Sequence, residues 1–215
     1  MDLHSVILFC ASVAAVFGNV IKPNKTDVFA EEGLSVTLSC NFSASGSNDY
    51  LHWYRQYGRS KPEFLVLTHS KAKQAEVSKI DPRFSVNIPK SEHVDLKISS
   101  AAVSDSALYY CALASMTADG TYKIYFGSGT KLHVETKKVE PPAFYKFNDY
   151  CLATDFTQHN AVNETLKNVT PVRYSGKDYY SSFSFSGSEN CRETNCMSGS
   201  SSQNGNFETD EKTNY

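Results

Sequence analysis

Beyond residue 18 the sequence contains no run of 18 consecutive apolar residues, so no later segment reads as a membrane-spanning helix. Long stretches of helical periodicity are missing too, which argues against a helix bundle. Metal signatures are absent: the six histidines stand apart at His4, His52, His69, His93, His133 and His159, with no His-x-x-x-His and no Cys-x-x-Cys spacing. Cys191 and Cys196 have no histidine cluster beside them, and the cysteines are better used as bridges than as nucleophiles. An enzyme is therefore the losing reading, and no cofactor, no metal and no catalytic residues are expected. A basic excess is lacking as well. Net charge is −2, with 14 basic and 12 acidic residues over 19–137 and 7 and 10 over 138–215, so neither half suits nucleic acid.

What is present is a spaced constellation. Cys40 is followed by Trp53, the only tryptophan, and then by Cys111 at the end of Asp105-Ser106-Ala107-Leu108-Tyr109-Tyr110-Cys111. This order resembles that of an immunoglobulin sandwich, in which one cysteine from each sheet meets across the core and a tryptophan packs on the bridge. Tyr109, two residues before Cys111, fits the tyrosine corner of the same fold. Leu34, Val36, Leu38 and Cys40 alternate with Ser35, Thr37 and Ser39, the period-two pattern of a half-buried strand. Similar short runs recur from Leu51 to Val134, separated by polar turns, and predict an all-β sandwich.

Residues 6–17 are almost wholly apolar and end in Val16-Phe17-Gly18, which predicts a signal peptide over 1–18; a buried N-terminal strand is the alternative. Removal of Cys10 with that segment leaves an odd set, Cys40, Cys111, Cys151, Cys191 and Cys196. In an oxidising compartment this suits two internal bridges and one thiol for a partner chain. The charged, proline-rich run Lys137-Lys138-Val139-Glu140-Pro141-Pro142 cannot join a central strand and predicts a boundary near Lys137. The organisation expected is a variable-type domain at 19–137, a constant-type domain at 138–196 and a flexible connecting peptide at 197–215. The second half has no tryptophan, so a shorter, looser sandwich is expected there.

Four acceptor patterns for N-glycosylation occur, at Asn24, Asn41, Asn163 and Asn168. Asn41 directly follows Cys40, close to the core. Phe126-Gly127-Ser128-Gly129-Thr130 places two glycines in a strand pattern, which predicts a bulge; an ordinary hairpin turn is the local alternative. Arg83 and Asp105 are expected to bridge one end of the sandwich, a structural contact of about 0–1 kcal/mol if it lies at the surface.

Residues 20–136 resemble a rearranged antigen-receptor variable domain through Cys40, Trp53-Tyr54-Arg55-Gln56, Arg83-Phe84, the run ending in Cys111, and a joining segment containing Phe126-Gly127-Ser128-Gly129. The second half is similar to the constant region of a T-cell receptor alpha chain, through Cys151-Leu152-Ala153-Thr154-Asp155-Phe156 and Phe207-Glu208-Thr209-Asp210. It departs from that family in its short second domain and in the missing membrane helix. The resemblance implies internal bridges Cys40–Cys111 and Cys151–Cys191, with Cys196 for the interchain bond and an exchange of roles between Cys191 and Cys196 as the competing assignment. It implies three antigen-binding loops: Ala44-Ser45-Gly46-Ser47-Asn48-Asp49-Tyr50, Thr68-His69-Ser70-Lys71-Ala72-Lys73, and a third at 112–125 centred on Ser115-Met116-Thr117-Ala118-Asp119-Gly120-Thr121-Tyr122. Tyr54, Gln56, Tyr110 and Phe126 are the implied contacts with a beta-chain variable domain, while Trp53 and Tyr109 belong to the core. The implied partners are a T-cell receptor beta chain, a peptide held by a histocompatibility molecule and, through a membrane helix, signalling subunits at the plasma membrane. An antibody light chain, a delta-type receptor chain and an immunoglobulin-like adhesion ectodomain are the alternative readings.

Overall fold

Strict alternation over residues 36–43 makes a strand whose even-numbered side chains are buried and whose odd-numbered ones are not, and the first sheet forms around it. The computed structural model describes residues 18–44, 46, 48–148, 150–163, 166, 169–174, 179–185 and 196–198, with backbone alone at 147, 185 and 196–198. The chain divides into two units, residues 1–137 and 138–215.

Among the described residues the first unit contains β1 (Val20–Pro23), β2 (Asp27–Glu31), β3 (Val36–Ser43), β4 (Tyr50–Gln56), β5 (Glu63–His69), β6 (Glu76–Val77), β7 (Phe84–Asn87), β8 (His93–Ile98), β9 (Ala107–Met116), β10 (Tyr122–Phe126) and β11 (Thr130–Glu135). One sheet has the order β1-β3-β8-β7-β6; the other runs β2-β11-β9-β4-β5, with β10 also paired to β9. All pairings are antiparallel except that of β11 with β2. The chain thus starts in one sheet and crosses to the other between β1 and β2.

Between the sheets lie Leu38, Trp53, Phe84, Val86, Leu96, Ile98, Leu113, Leu132 and Val134, each at most 1% exposed. Each such aliphatic or aromatic side chain contributes about 1.5–3 kcal/mol relative to exposure. Cys40 of β3 and Cys111 of β9 form the disulfide across this core, and Trp53 is the cross-strand neighbour of Cys111. A bridge closing 71 residues stabilises by about 4 kcal/mol in the chain-entropy account. At one end, the Tyr109 hydroxyl donates to the Asp105 carbonyl at 2.8 Å, making the tyrosine corner, and burial pushes the phenol well above its usual range.

The glycine motif divides the last strand into β10 and β11, for two different reasons. Gly129 sits at φ +93°, where a side chain is strained, whereas a Cβ at Gly127 would come within 3.0 Å of Cys111 Sγ. Arg83 and Asp105 pair as expected but not at the surface: the contacts are bidentate, at 2.7 and 3.1 Å, and the Asp105 side chain is 1% exposed. Arg55 approaches the same carboxylate at 3.6 Å, and the Ala102 backbone N–H donates to it.

In the second unit, β12 (Ala143–Phe147), β13 (Tyr150–Phe156), β14 (Val172–Arg173), β15 (Tyr180–Phe185) and β16 (Cys196–Ser198) form one sheet in the order β14-β15-β13-β12-β16. Without a tryptophan, its core is built on Phe156 and Tyr180, stacked with centroids 6.0 Å apart, and on Phe144, Cys151, Ala153, Val162 and Leu166 around them. The Thr157 hydroxyl donates to the Lys138 carbonyl and accepts from the Glu140 N–H, which fixes the segment entering this unit.

Candidate binding surfaces

Strand register brings the three predicted loops together. Tyr50, the first residue of β4, is paired on one side with His69 at the end of β5 and on the other with Ala114 near the end of β9. Tyr122, the first residue of β10, is opposite Met116. The described residues just before β4 and the turns at 70–75 and 117–121 therefore leave the sandwich side by side.

Side chains then join them. Asn48 Nδ2 donates to the Tyr122 hydroxyl at 2.8 Å and lies 4.0 Å from Met116 Sδ. The Tyr50 ring stands edge-on to both His69 and Tyr122, with centroids 5.2 and 6.0 Å away. His69 Nδ1 accepts the Lys71 N–H, which folds the second loop back on its own strand. In the third loop the Gly120 N–H donates to the Thr117 carbonyl and the Thr117 N–H to that of Thr121. Asp119 Oδ1 accepts from the Thr117 and Thr121 hydroxyls and the Thr121 N–H, and these bonds hold the exposed carboxyl down to about 2.

Not every residue of the predicted loops faces solvent. Asp49, Thr68 and Ser115 are buried, and Tyr50, Thr68, His69, Ser115, Met116 and Tyr122 belong to strands. Periodicity does not reveal this, because the strands extend further than their apolar residues do. Neither carboxylate oxygen of Asp49 has a hydrogen-bond partner among the described residues. Gly46 lies so close over it that a Cβ there would meet Oδ1 at 2.6 Å. Ser70, Lys71, Ala72 and Lys73 lie in the turn after β5, and Ala118 lies beside Asp119 at the tip of the third loop. Ser45 and Ser47 lie outside the described residues.

A second surface covers the outer face of the β4-bearing sheet. Tyr54 contacts Phe64 and Phe126, with centroids 5.7 and 5.5 Å apart, and the Tyr110 hydroxyl donates to Gln56 Oε1 at 3.2 Å. Around the predicted residues lie others that the sequence reading missed: His52, Phe64, Leu67 and Ile124. Phe64, Leu67, Ile124 and Phe126 are 39%, 41%, 44% and 57% exposed, far more than isolated core residues of a sandwich would be. Extending the alternation outward from Tyr54 would have found His52, and the register places Leu67 opposite it. Burial holds the His52 imidazole below its ordinary 6.5, and its Nδ1 lies 3.1 Å from the Tyr54 hydroxyl. The opposite outer face, on β3 and β8, is polar, with Thr37, Ser39, Asn41, Asp95 and Lys97.

Cys151 is buried and disulfide-bonded. Cys191 lies outside the described residues, as does the Cys196 side chain, although the Cys196 backbone pairs with Phe144. Asn24, Asn41 and Asn163 are exposed, and Asn168 lies outside the described residues. Among the described residues no group of His, Cys, Asp and Glu is arranged to hold a metal, and no helix is long and apolar enough to cross a membrane.

A disulfide across two sheets in this strand order, a tyrosine corner and three adjoining loops define a variable-type immunoglobulin domain. Residues 23–135 match the immunoglobulin V-set domain family. Similarity extends to a human protein, "T cell receptor alpha chain MC.7.G5", at 33% identity over 154 residues, 67% of this chain and 54% of that one. A rabbit protein, "T-cell receptor alpha chain V region RL-5", is 32% identical over 131 residues, 61% of this chain and 92% of that one. The mouse "T-cell receptor alpha chain V region 2B4" is 34% identical over 116 residues, 54% and 83% respectively. The chain belongs to the V-set immunoglobulin family, in its T-cell receptor alpha-chain branch. It spans about half the length of the human alpha chain it matches.

Proposed function

We propose that the chain is the antigen-recognition subunit of a heterodimeric T-cell receptor, pairing with a beta chain and binding peptide presented by a histocompatibility molecule. The observation that carries this reading is the contrast between the two outer faces. One is polar, and the other exposes Phe64, Leu67, Ile124 and Phe126 around Tyr54 and Tyr110. An apolar, aromatic-rich patch of that kind on an exported domain is what a permanent partner covers. The joined loops at 44–50, 68–73 and 115–122 then form the antigen-facing end, with Tyr50, Tyr122 and Met116 as rigid or adaptable contact groups and Asn48 as the hydrogen-bonding link.

In this reading residues 1–18 direct export, Cys151 and Cys191 close the second domain, Cys196 makes the interchain bond, and residues 197–215 lead toward a membrane helix that engages signalling subunits at the plasma membrane. The test is co-expression of the chain with beta-chain ectodomains, followed by light scattering and a non-reducing gel. A one-to-one complex that separates only on reduction is the expected result. A well-folded monomer indifferent to every beta chain would overturn the reading.

A further inference from the structure

Asp119-Gly120 is the one Asp-Gly step in the sequence, and it forms the exposed tip of the third loop. Such a step is chemically unstable in water. Glycine has no Cβ to shield its amide nitrogen, so that nitrogen can attack the side-chain carboxyl carbon of the residue before it. A C–N bond forms, the carboxyl hydroxyl leaves with the amide hydrogen as water, and a succinimide ring closes. Water then adds to the former main-chain carbonyl, the bond from that carbon to the glycine nitrogen breaks, and the chain continues through the side chain as isoaspartate. One water leaves and one enters, with no oxidation or reduction. Nothing crowds the step here: at Gly120, whose φ is +82°, a Cβ would meet no atom of a non-neighbouring residue within 4 Å.

The hydrogen bonds around the step oppose the reaction. Ring closure consumes the neutral acid, since a carboxylate cannot release water. Asp119 Oδ1 instead accepts from the Thr117 hydroxyl, from the Thr121 hydroxyl at 2.8 Å and from the Thr121 N–H at 3.1 Å, all of which favour the anion. They hold the carboxyl down to about 2 from its usual 3.8, and near neutral pH that leaves more than about tenfold less of the reactive acid. The attacking nitrogen is engaged as well, because the Gly120 N–H donates to the Thr117 carbonyl at 3.0 Å. Thr117 thus holds both reacting groups, the carboxylate through its hydroxyl and the amide through its carbonyl. We propose that Asp119 is a latent isoaspartate site, kept in the normal linkage by the hydroxyls of Thr117 and Thr121. Loss of those hydroxyls, or opening of the loop, releases the isomerisation. Neither a beta chain nor an antigen is needed for this chemistry.

The test incubates the full chain near neutral pH, digests it at intervals and measures isoaspartate in the peptide containing Asp119 by isoaspartyl methyltransferase labelling. That peptide is read apart from the one containing Asn204-Gly205, whose deamidation also yields isoaspartate. The reference is the same chain, reduced and unfolded in urea. Isoaspartate at position 119 should accumulate at least about tenfold more slowly in the folded chain than in the unfolded one. The double variant T117V/T121V should lose most of that difference, and T117S/T121S, which keeps both hydroxyls, should retain it. Equal rates in the folded and unfolded chain overturn the proposal, and so does a T117V/T121V chain that isomerises as slowly as the unaltered one. The first comparison uses only the unaltered sequence, so a variant that fails to fold does not affect it.

Discussion

Asn48 and Tyr122 stand 74 residues apart in sequence and share a 2.8 Å hydrogen bond that ties the first loop to the third. The bond exists because β4 and β10 both lie beside β9, which brings Tyr50 opposite Ala114 and Tyr122 opposite Met116. The loop-bearing end of the first unit is thus one connected surface and not three independent turns.

Replacing Tyr122 with Phe keeps the ring against Tyr50 and removes only the hydroxyl. The contact is exposed, so the loss should be near the lower end of about 0.5–1.5 kcal/mol. Hydrogen exchange should quicken at the amides of 44–50 while the second unit is unchanged. Equal exchange in the two proteins would mean that Asn48 does not hold the first loop.

Asp105 is the most exacting polar residue of the first unit. Its buried carboxylate takes Arg83 bidentately, approaches Arg55 and accepts the Ala102 N–H, while its carbonyl receives the Tyr109 hydroxyl. The carboxylates of Asp105 and Asp81 hold the Arg83 guanidinium even further above its usual range. Asp105→Ala should cost about 3 kcal/mol, the low end for a broken buried pair, because Arg83 is one-third exposed and rehydrates in part. Tyr109→Phe should cost less, about 1–2 kcal/mol, since one neutral bond is lost. Denaturant melts of the two variants should rank in that order.

The fold was legible where one residue has one reason to be in place. Cys40, Trp53, Tyr109 and Cys111 pointed to the two-sheet core, and each lies at 0% exposure. Loop membership was less legible: Asp49, Thr68 and Ser115 are polar, and polarity alone marks them as surface although they are buried beneath the loops. His52 shares a face with Tyr54 by alternation along β4, but Leu67 was missed because its place opposite His52 follows from the pairing of β4 with β5, a long-range register that local alternation does not fix. The second unit was read only coarsely, since Phe156 and Tyr180 replace the usual tryptophan without any spacing of their own to announce it.

The two glycines of the joining segment should fail differently. Gly129→Ala is strained by the backbone at φ +93° and crowds Tyr110 and Leu108, whereas Gly127→Ala presses on the disulfide sulfur of Cys111. Each should lower stability by about 1–3 kcal/mol. Loss of the disulfide partner should relieve the Gly127→Ala variant and not the Gly129→Ala variant, a difference that reduced and oxidised thermal melts would reveal.

His52 gives the first unit a pH dependence of definite sign. Burial lowers its folded-state pKa below 6.5, so the unfolded chain takes up the proton more readily. Its contribution is neutral above about pH 6.5, and stability falls as pH drops through that value toward the folded-state one. His52→Gln should flatten the melting-temperature profile in this range. An unchanged slope would assign the pH dependence to another group.

The most direct measurement compares two charged substitutions on opposite faces. Phe126→Asp puts a charge into the aromatic face, and Lys97→Glu changes the polar face on β8. Each chain is co-expressed with a beta-chain ectodomain, and the fraction in the one-to-one complex is measured by light scattering. Phe126→Asp should abolish the complex while leaving a folded monomer, with Lys97→Glu assembling like the unaltered chain. Full assembly of Phe126→Asp, or loss of assembly with Lys97→Glu alone, would contradict it.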